Sequence, residues 1–217
     1  NMDEWRGQDE LAPMAGVIVP AYFSAKPSDD LVRQLLWMTL ADSPHFLPLQ
    51  QVCVVVDGDA RTARIAAQLR DLFLREQGNT FQLLALPENR GKLGAMCEGA
   101  RALLDQPQIQ FITVRDGDGD HALTDVPALM RAALALCEAQ GNSDVIVIGA
   151  RRTRHHPMGW LRGELETLLD QVTVDALAYS LARQEKALDL SQCTGMLPDI
   201  SSGFKVYGRV AAEALFV

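Results

Sequence analysis

The sequence predicts an α/β domain with a mostly parallel, open central sheet that helices cover. Five short, nearly continuous apolar runs recur along the chain, and helix-like patterns fill the four intervals between them. Short apolar runs of this kind are typical of strands that are buried on both faces. Strands that alternate with helices form parallel sheets, and such sheets bind ligands beyond the carboxyl ends of their strands. Polar residues follow every one of the apolar runs, so we expect a ligand site at that edge.

The predicted elements follow in a regular order. The strands are expected at residues 16–20 (GVIVP), 52–56 (VCVVV), 81–86 (FQLLAL), 111–114 (FITV) and 145–149 (VIVIG). The helices are expected at residues 29–40, 61–76, 93–104 and 125–139. Ser28 can cap the first helix, in which Leu31, Leu35 and Met38 form one apolar stripe.

A further helical pattern lies between residues 151 and 190, after the last predicted strand. We expect its apolar side chains to pack into a core, as a helical stripe usually does. These are Leu165, Leu168, Leu169, Val172, Leu177 and Leu181.

Composition limits the classes of function. The chain has 217 residues and a formal net charge of −8, which argues against nucleic acid as a partner because phosphate backbones bind basic surfaces. The four cysteines are far apart and include no Cys-x-x-Cys pair, which argues against a zinc knuckle and indicates a reducing, cytosolic compartment. The sequence contains no run of about 18 apolar residues, so we expect no transmembrane helix. The chain ends directly after the apolar run 210–217, so we expect a catalytic piece of a longer protein.

The stretch FITVRDGDGD at residues 111–120 is the most informative motif. Asp116, Asp118 and Asp120 alternate with glycines directly after a predicted strand. Carboxylates this close repel one another unless a cation lies between them. Mg²⁺ and Mn²⁺ prefer oxygen ligands and often share them with phosphates. The motif therefore predicts a metal site that holds a diphosphate, and a solvated acidic turn is the alternative.

Polar residues also end the first two predicted strands. Asp57 is placed to accept hydrogen bonds from a base or a ribose, whereas Asp59 can serve equally well as the cap of the next helix. Pro20, Ala21 and Tyr22 end the first strand, where a nucleoside could rest on the backbone and the ring. A packed surface aromatic is the alternative for Tyr22.

Two basic loops follow the third and fifth predicted strands. In the loop at 89–92, Lys92 or Arg90 could neutralise a phosphate, although the loop matches neither a P-loop nor a dinucleotide fingerprint. The segment RRTRHHP at 151–157 is a concentrated cationic patch in an acidic protein, which favours an anionic substrate group. We interpret the paired histidines of this segment, His155 and His156, as surface residues rather than metal ligands, and we do not expect a ligand role for His121, which follows the acidic triplet.

Taken in this order, these motifs resemble a family 2 glycosyltransferase of the GT-A fold, and most of all the dolichol- or polyprenol-phosphate sugar transferases. The similarity covers residues 16–209. Six segments contribute to it: 17–22 (VIVPAY), 54–59 (VVVDGD), 89–95 (NRGKLGA), 115–121 (RDGDGDH), 147–151 (VIGAR) and 199–209 (DISSGFKVYGR). The resemblance implies a single catalytic domain, with an N-terminal extension at 1–15, a nucleotide-binding half at 16–115 and a metal and acceptor half at 116–217.

The resemblance also implies an activity: inverting transfer from a UDP- or GDP-sugar to a glycan or lipid phosphate, with Mn²⁺ or Mg²⁺ as cofactor. It implies a cytoplasmic enzyme with possible peripheral contact at the inner face of a membrane. By position, the donor would meet Pro20, Ala21, Tyr22, Asp57, Asp59, Asn89, Lys92, Asp116 and Gly117. The metal ligands would be Asp116, Asp118 and Asp120. The acceptor would meet Arg151, Arg162, Ser202 and Lys205, and the catalytic residues would be Asp118, Arg151 and Asp199.

Several alternatives stay open. A phosphate acceptor is already ionised and needs no base, whereas a sugar hydroxyl needs a carboxylate such as Asp199 to deprotonate it. A nucleotidyltransferase would need a glycine-rich basic loop after the first strand, which residues 21–28 lack. A non-catalytic nucleotide-binding or interaction domain would not need the acidic triplet.

Overall fold

The computed structural model describes residues 8–23, 25, 27–42, 46–117, 121, 123–155, 159–191, 193 and 197–217. Its strands are β1 (Ala15–Ala21), β2 (Val52–Asp57), β3 (Gln82–Leu86), β4 (Phe111–Val114), β5 (Ile146–Ile148) and β6 (Lys205–Gly208). Its helices are α1 (Gln8–Leu11), α2 (Asp29–Ala41), α3 (Ala60–Gln77), α4 (Gly91–Leu104), α5 (Val126–Gln140), α6 (Trp160–Ala182) and α7 (Arg209–Phe216). All five strands and four helices expected from the sequence are therefore confirmed to within two residues at each end.

The six strands form one mixed sheet in the order β3-β2-β1-β4-β6-β5. The pairs β1–β2, β2–β3 and β1–β4 are parallel, and β6 runs antiparallel to β4. The strands β1 to β4 therefore present their carboxyl ends at one edge. The strand β6 was not expected, because its four residues lie inside a segment that the sequence analysis treated only as a motif.

The two faces of the sheet hold separate apolar clusters, which the alternation of side chains along a strand explains. Val17, Val19 and Val54 belong to the cluster beneath α2, α3 and α5. Ile18 and Val55 belong to the opposite cluster, beneath α4 and α7. The strands β1 and β2 are thus buried on both faces, as predicted.

The edge strands depart from the predicted double burial. Along β3 most residues are only half-buried, and Ile146 in β5 is exposed. Both strands lie at the ends of the strand order, so one side of each has no neighbour among the described strands. The apolar runs identified them correctly as strands but did not distinguish an edge from the centre.

The chain divides into two compact units. The described residues of Asn1–Val147 and Phe204–Val217 form the first unit, and Ile148–Gly203 form the second. The single catalytic domain inferred from the resemblance stays a prediction. Among the described residues, no helix combines the length and the apolar character that crossing a membrane requires.

The expected core packing of α6 is wrong for most of its apolar residues. Leu165, Leu168 and Val172 are more than half exposed, at 54%, 59% and 55%, and Leu169 and Leu177 are exposed as well. The buried residues of α6 are instead Gly163, Asp170 and Val174. The inward stripe of this helix therefore contains a carboxylate, which a search for apolar periodicity cannot find.

Candidate active site

A cavity of about 560 Å³ lies in the first unit, where β1, β2 and β4 end and α4 begins. Its volume falls within the range of ~300–1,000 Å³ that is usual for small-molecule sites. The lining residues are Pro20, Ala21, Tyr22, Phe23, Ala25, Pro27, Asp57, Asn89, Gly91, Lys92, Ala95, Asp116 and Gly117. Eight of the nine predicted donor contacts thus surround one cavity, and Asp59 is the exception. Tyr22 is 55% exposed, so its ring is accessible to a ligand rather than packed away.

Asp57, the last residue of β2, positions the loop that precedes α4. Its side chain is almost fully buried, and its Oδ1 accepts a hydrogen bond from the backbone N–H of Arg90 at 2.7 Å. Asn89 stabilises the same loop, because its Oδ1 accepts from the backbone N–H of Gly91 at 3.0 Å. The carboxylate therefore connects the end of β2 to the loop that presents Lys92.

Gly58 is required by the close approach of these two loops. It has a φ of +69°, and a Cβ on this residue would lie 2.1 Å from the backbone nitrogen of Asn89. Only glycine meets both conditions without strain. The glycine that separates Asp57 from Asp59 is thus explained by packing between neighbouring backbones.

Asp59 caps α3, which confirms the alternative interpretation of this residue. Its Oδ1 accepts from the backbone N–H of Arg61 at 3.1 Å, and its Oδ2 accepts from the Thr62 hydroxyl. The hydrogen bond from the Thr62 hydroxyl has the largest effect and lowers the pKa of Asp59. Burial opposes it, and the backbone N–H groups of the first turn lower the pKa further. Both carboxylate oxygens of Asp59 therefore accept hydrogen bonds from the first turn of α3, and Asp59 is not among the described residues that line the cavity.

Lys92 and Asp116 form an ion pair inside the cavity. The Lys92 Nζ lies 2.6 Å from the Asp116 Oδ1. Lys92 is the second residue of α4, and Asp116 follows β4. A carboxylate that already attracts one cation at the end of a parallel strand has the right chemistry for a divalent ion.

The remaining predicted metal ligands, Asp118 and Asp120, lie outside the described residues. Within the part of the chain that is described, no group of three histidine, cysteine or acidic residues could hold a metal ion. The metal site therefore stays a prediction, of which Asp116 is the described member.

Arg115 is a functional candidate that the sequence analysis missed. It is only 2% exposed and follows β4 directly. Its guanidinium donates to the backbone oxygen of Thr39 at 2.8 Å and to the backbone oxygen of His121 at 3.0 and 2.6 Å, and it pairs with Asp42 at 3.1 Å. Since Arg115 and His121 flank the acidic motif, these bonds fix both ends of that segment. The sequence signal that could have identified Arg115 is its position directly after an apolar strand.

His121 is half-buried. Its ring stacks on Phe204 with the centroids 5.0 Å apart, and its Nδ1 lies 3.4 Å from the backbone nitrogen of Asp116. His155 lies at the surface as expected, since it is exposed and its Nε2 lies 2.8 Å from the Glu164 carboxylate. His156 lies outside the described residues.

The predicted cationic patch belongs to the second unit, where two of its arginines pair with carboxylates of the same unit. Arg151 donates to both oxygens of Asp199, at 2.9 and 2.7 Å, and pairs with Glu166 at 2.6 Å. Arg154 pairs with Asp170 at 2.6 Å. These two arginines therefore already have carboxylate partners, and the binding of an anionic substrate group at this loop stays a prediction.

A profile of the protein family described as Glycosyl transferase family 2 matches residues 16–216, nearly the whole chain. The chain belongs to glycosyltransferase family 2. The mixed sheet flanked by helices is therefore a GT-A fold, and the protein is a glycosyltransferase that acts on a nucleotide-sugar donor and an acceptor. A search of curated proteins found no match to the chain.

In this glycosyltransferase, two arginines control the pKa of Asp199, whose role as a base stays a prediction. Its side chain is nearly buried, which raises its pKa, but the hydrogen bonds and charges of Arg151 and Arg154 outweigh burial and lower the pKa. Glu166 behaves in the same way, since Arg151 and Arg162 outweigh the effect of burial. The hydrogen bonds of Asp199 in turn raise the pKa of Arg151.

The other predicted acceptor contacts are spread over both units of the glycosyltransferase. In the second unit, the Ser202 hydroxyl donates to the backbone oxygen of Gly149 at 2.7 Å, and Arg162 pairs with Glu166 at 3.1 Å while remaining largely exposed. In the first unit, Lys205 begins β6 and is half-buried. Their roles toward an acceptor stay predictions.

Proposed function

We propose that this glycosyltransferase transfers a sugar from a UDP- or GDP-sugar to a phosphate-bearing lipid of the polyprenyl phosphate type, with inversion at the anomeric carbon. The observation that supports the donor site is the cavity in which Asp57, Asn89, Lys92 and Asp116 meet. Its polar groups lie at the strand ends where an open α/β sheet binds ligands. Tyr22 offers an exposed ring to the nucleoside.

The diphosphate of the donor would lie beside Lys92 and the first turn of α4. An ammonium group and the N–H groups at the start of a helix both favour phosphate oxygens. A divalent ion, Mn²⁺ or Mg²⁺, held by Asp116 and the predicted ligands Asp118 and Asp120, would stabilise negative charge on the departing diphosphate. Asp57 would hold the loop of Lys92 in place and present its charge to the nucleoside.

The acceptor is proposed to be ionised because the candidate base is weak. Arg151 and Arg154 lower the pKa of Asp199, and Arg151 occupies both of its oxygens. A hydroxyl acceptor needs a base that takes up a proton, whereas a phosphate attacks without one. Arg162 is the proposed contact for the phosphate, since 64% of its side chain is exposed.

A thermal-shift experiment tests the donor site. UDP or GDP with Mn²⁺ should raise the Tm of the wild-type protein, because a ligand that binds only the folded state stabilises it. Asp57→Asn keeps an oxygen for the Arg90 N–H but removes the charge, and should reduce the shift. Asp59→Asn is the matched control, since Asp59 caps α3 outside the described cavity lining. It should lower the Tm and keep the shift. Equal shifts in both variants would refute the role of Asp57, and no shift in the wild type would refute the donor site.

A transfer assay tests the acceptor. Polyprenyl phosphate and neutral oligosaccharides are offered side by side with each nucleotide sugar. Arg162→Gln should raise the KM for polyprenyl phosphate and leave donor hydrolysis unchanged. Arg183→Gln, at the exposed C-terminal end of α6, should change neither. Transfer to the neutral acceptors alone would overturn the phosphate acceptor while leaving the donor site intact.

A further inference from the structure

The ion pair between Lys92 and Asp116 places a positive charge on a carboxylate that is proposed to bind a metal. The two groups are 2.6 Å apart, and both line the cavity. Neither is deeply buried, since 48% of the Lys92 side chain and 31% of the Asp116 side chain are exposed. The lysine can therefore leave the carboxylate without losing contact with water.

A divalent cation and an ammonium group compete for such a carboxylate. Both need the same oxygen, and at this distance their positive charges repel each other unless further anions are present. A bound diphosphate supplies those anions, because its oxygens offer the ammonium a new partner. The four-carbon stem of a lysine allows its charge to move between neighbouring partners.

We infer that the Lys92 ammonium group occupies the metal's position beside Asp116 while the donor is absent, and that it moves to the diphosphate when metal and donor bind. This inference rests on the proposed donor function and assigns Lys92 two successive partners. Binding of metal alone then requires Lys92 to leave Asp116 with no anion to receive it. Binding of metal together with a nucleoside diphosphate provides one, so the lysine makes the two ligands favour each other.

The inference predicts opposite effects on two affinities when the lysine is removed. In Lys92→Gln, the affinity of the nucleotide-free protein for Mn²⁺ should rise by about 1.5- to 5-fold, the range expected for loss of a competing, partly exposed ion pair. The affinity of the Mn²⁺-saturated protein for UDP or GDP should fall by about tenfold or more, as expected for loss of a charge-assisted hydrogen bond. A variant that merely distorts the start of α4 would weaken both.

Isothermal titration calorimetry measures both affinities, first with MnCl₂ alone and then with UDP and GDP at saturating Mn²⁺. Arg101→Gln is the control for charge, because it removes one cation from α4 that pairs with Glu98 instead of Asp116. It should leave both affinities within about twofold of the wild type, since exposed ion pairs contribute little. Asp116→Asn combined with Lys92→Gln should abolish the gain in Mn²⁺ affinity.

The outcomes separate this inference from the proposed function. A gain in Mn²⁺ affinity with a loss of nucleotide affinity, both absent from Arg101→Gln, is the expected result. If the wild type binds Mn²⁺ and a nucleotide but Lys92→Gln weakens both or changes neither, the inference is wrong and the donor site survives. If the wild type binds neither Mn²⁺ nor UDP nor GDP, the proposed function and the inference fall together.

Discussion

Replacing Arg115 with methionine should destabilise the protein far more than its position in a loop suggests. The side chain is 2% exposed and donates to the backbone oxygens of Thr39 and His121 and to the carboxylate of Asp42. Thr39 lies in the last turn of α2, where the carbonyl groups have no partner within the helix. Methionine fills a similar volume but donates no hydrogen bond to these acceptors.

The magnitude follows from the partners. Each buried acceptor left unsatisfied costs about 1–3 kcal/mol, and loss of one member of a buried ion pair costs about 3–5 kcal/mol. Asp42 keeps 37% of its side chain exposed, so water can solvate its charge in the variant. We therefore expect the free energy of unfolding to fall by about 3 kcal/mol, at the lower end of the range for a buried ion pair. At roughly 2–4 °C per kcal/mol for a chain of this size, the Tm should fall by about 6–12 °C.

Urea unfolding followed by circular dichroism measures this loss, and Arg131→Met is the matched control. Arg131 is exposed on α5, so its replacement should change the free energy of unfolding by less than about 0.5 kcal/mol. Arg115→Met should also reduce the thermal shift caused by UDP with Mn²⁺, because the arginine fixes the ends of the acidic motif. A loss below about 1 kcal/mol, close to that of the control, would refute the structural role assigned to Arg115.

Two further predictions use the loops of the first unit and the ion pairs of the second. Gly58→Ala should destabilise more than Gly78→Ala in urea unfolding. Both residues have a positive φ, but the added Cβ would lie 2.1 Å from the Asn89 backbone nitrogen at Gly58 and would meet nothing within 4 Å at Gly78. Equal losses would refute the packing argument. The pKa values of Asp199 and Glu166 are lowered in the folded state from their ordinary values of 3.8 and 4.5. The two carboxylates therefore make their full contribution to the free energy of unfolding above those values, and this contribution should decline as the pH falls below them. Glu166→Gln should flatten this decline between about pH 5 and 3, and an unchanged slope would contradict it.

Much of the fold follows from the sequence because a parallel sheet leaves a strong local signal. The run at 52–56 is apolar throughout and the run at 111–114 is apolar except for Thr113, and both form interior strands of the sheet. The carboxyl ends of parallel strands meet at one edge, so the polar residues after each run could be assigned to one site. The structure places three of these residues, Tyr22, Asp57 and Asp116, around the same cavity.

The second unit could not be predicted in the same way, because its buried groups are charged. Asp170 is 2% exposed in the middle of α6, and it pairs with Arg154. Apolar periodicity assigns such a residue to the surface and the exposed Leu168 to the core. The ion pairs of Arg151 could not be predicted from local sequence patterns either, because Glu166 and Asp199 lie 15 and 48 residues away along the chain.

Asp57 and Asp59 show where residue types alone are insufficient. Two carboxylates two positions apart in one motif have different roles, because one accepts from the loop before α4 and the other from the first turn of α3. The sequence favoured Asp57 for the ligand and left both roles open for Asp59. Their geometry distinguishes them, and it also reveals the reason for the glycine between them.

The central claim is that the cavity activates a nucleotide-sugar donor with a divalent ion. The most direct measurement is release of nucleoside diphosphate from a panel of UDP- and GDP-sugars, with Mn²⁺ or Mg²⁺ and after exhaustive chelation. We predict release from at least one donor, its loss on chelation, and its loss in Asp118→Asn, whose neutral amide is a poorer metal ligand of similar shape. Release that continues undiminished after chelation, or no release from any donor with either ion, would contradict the claim.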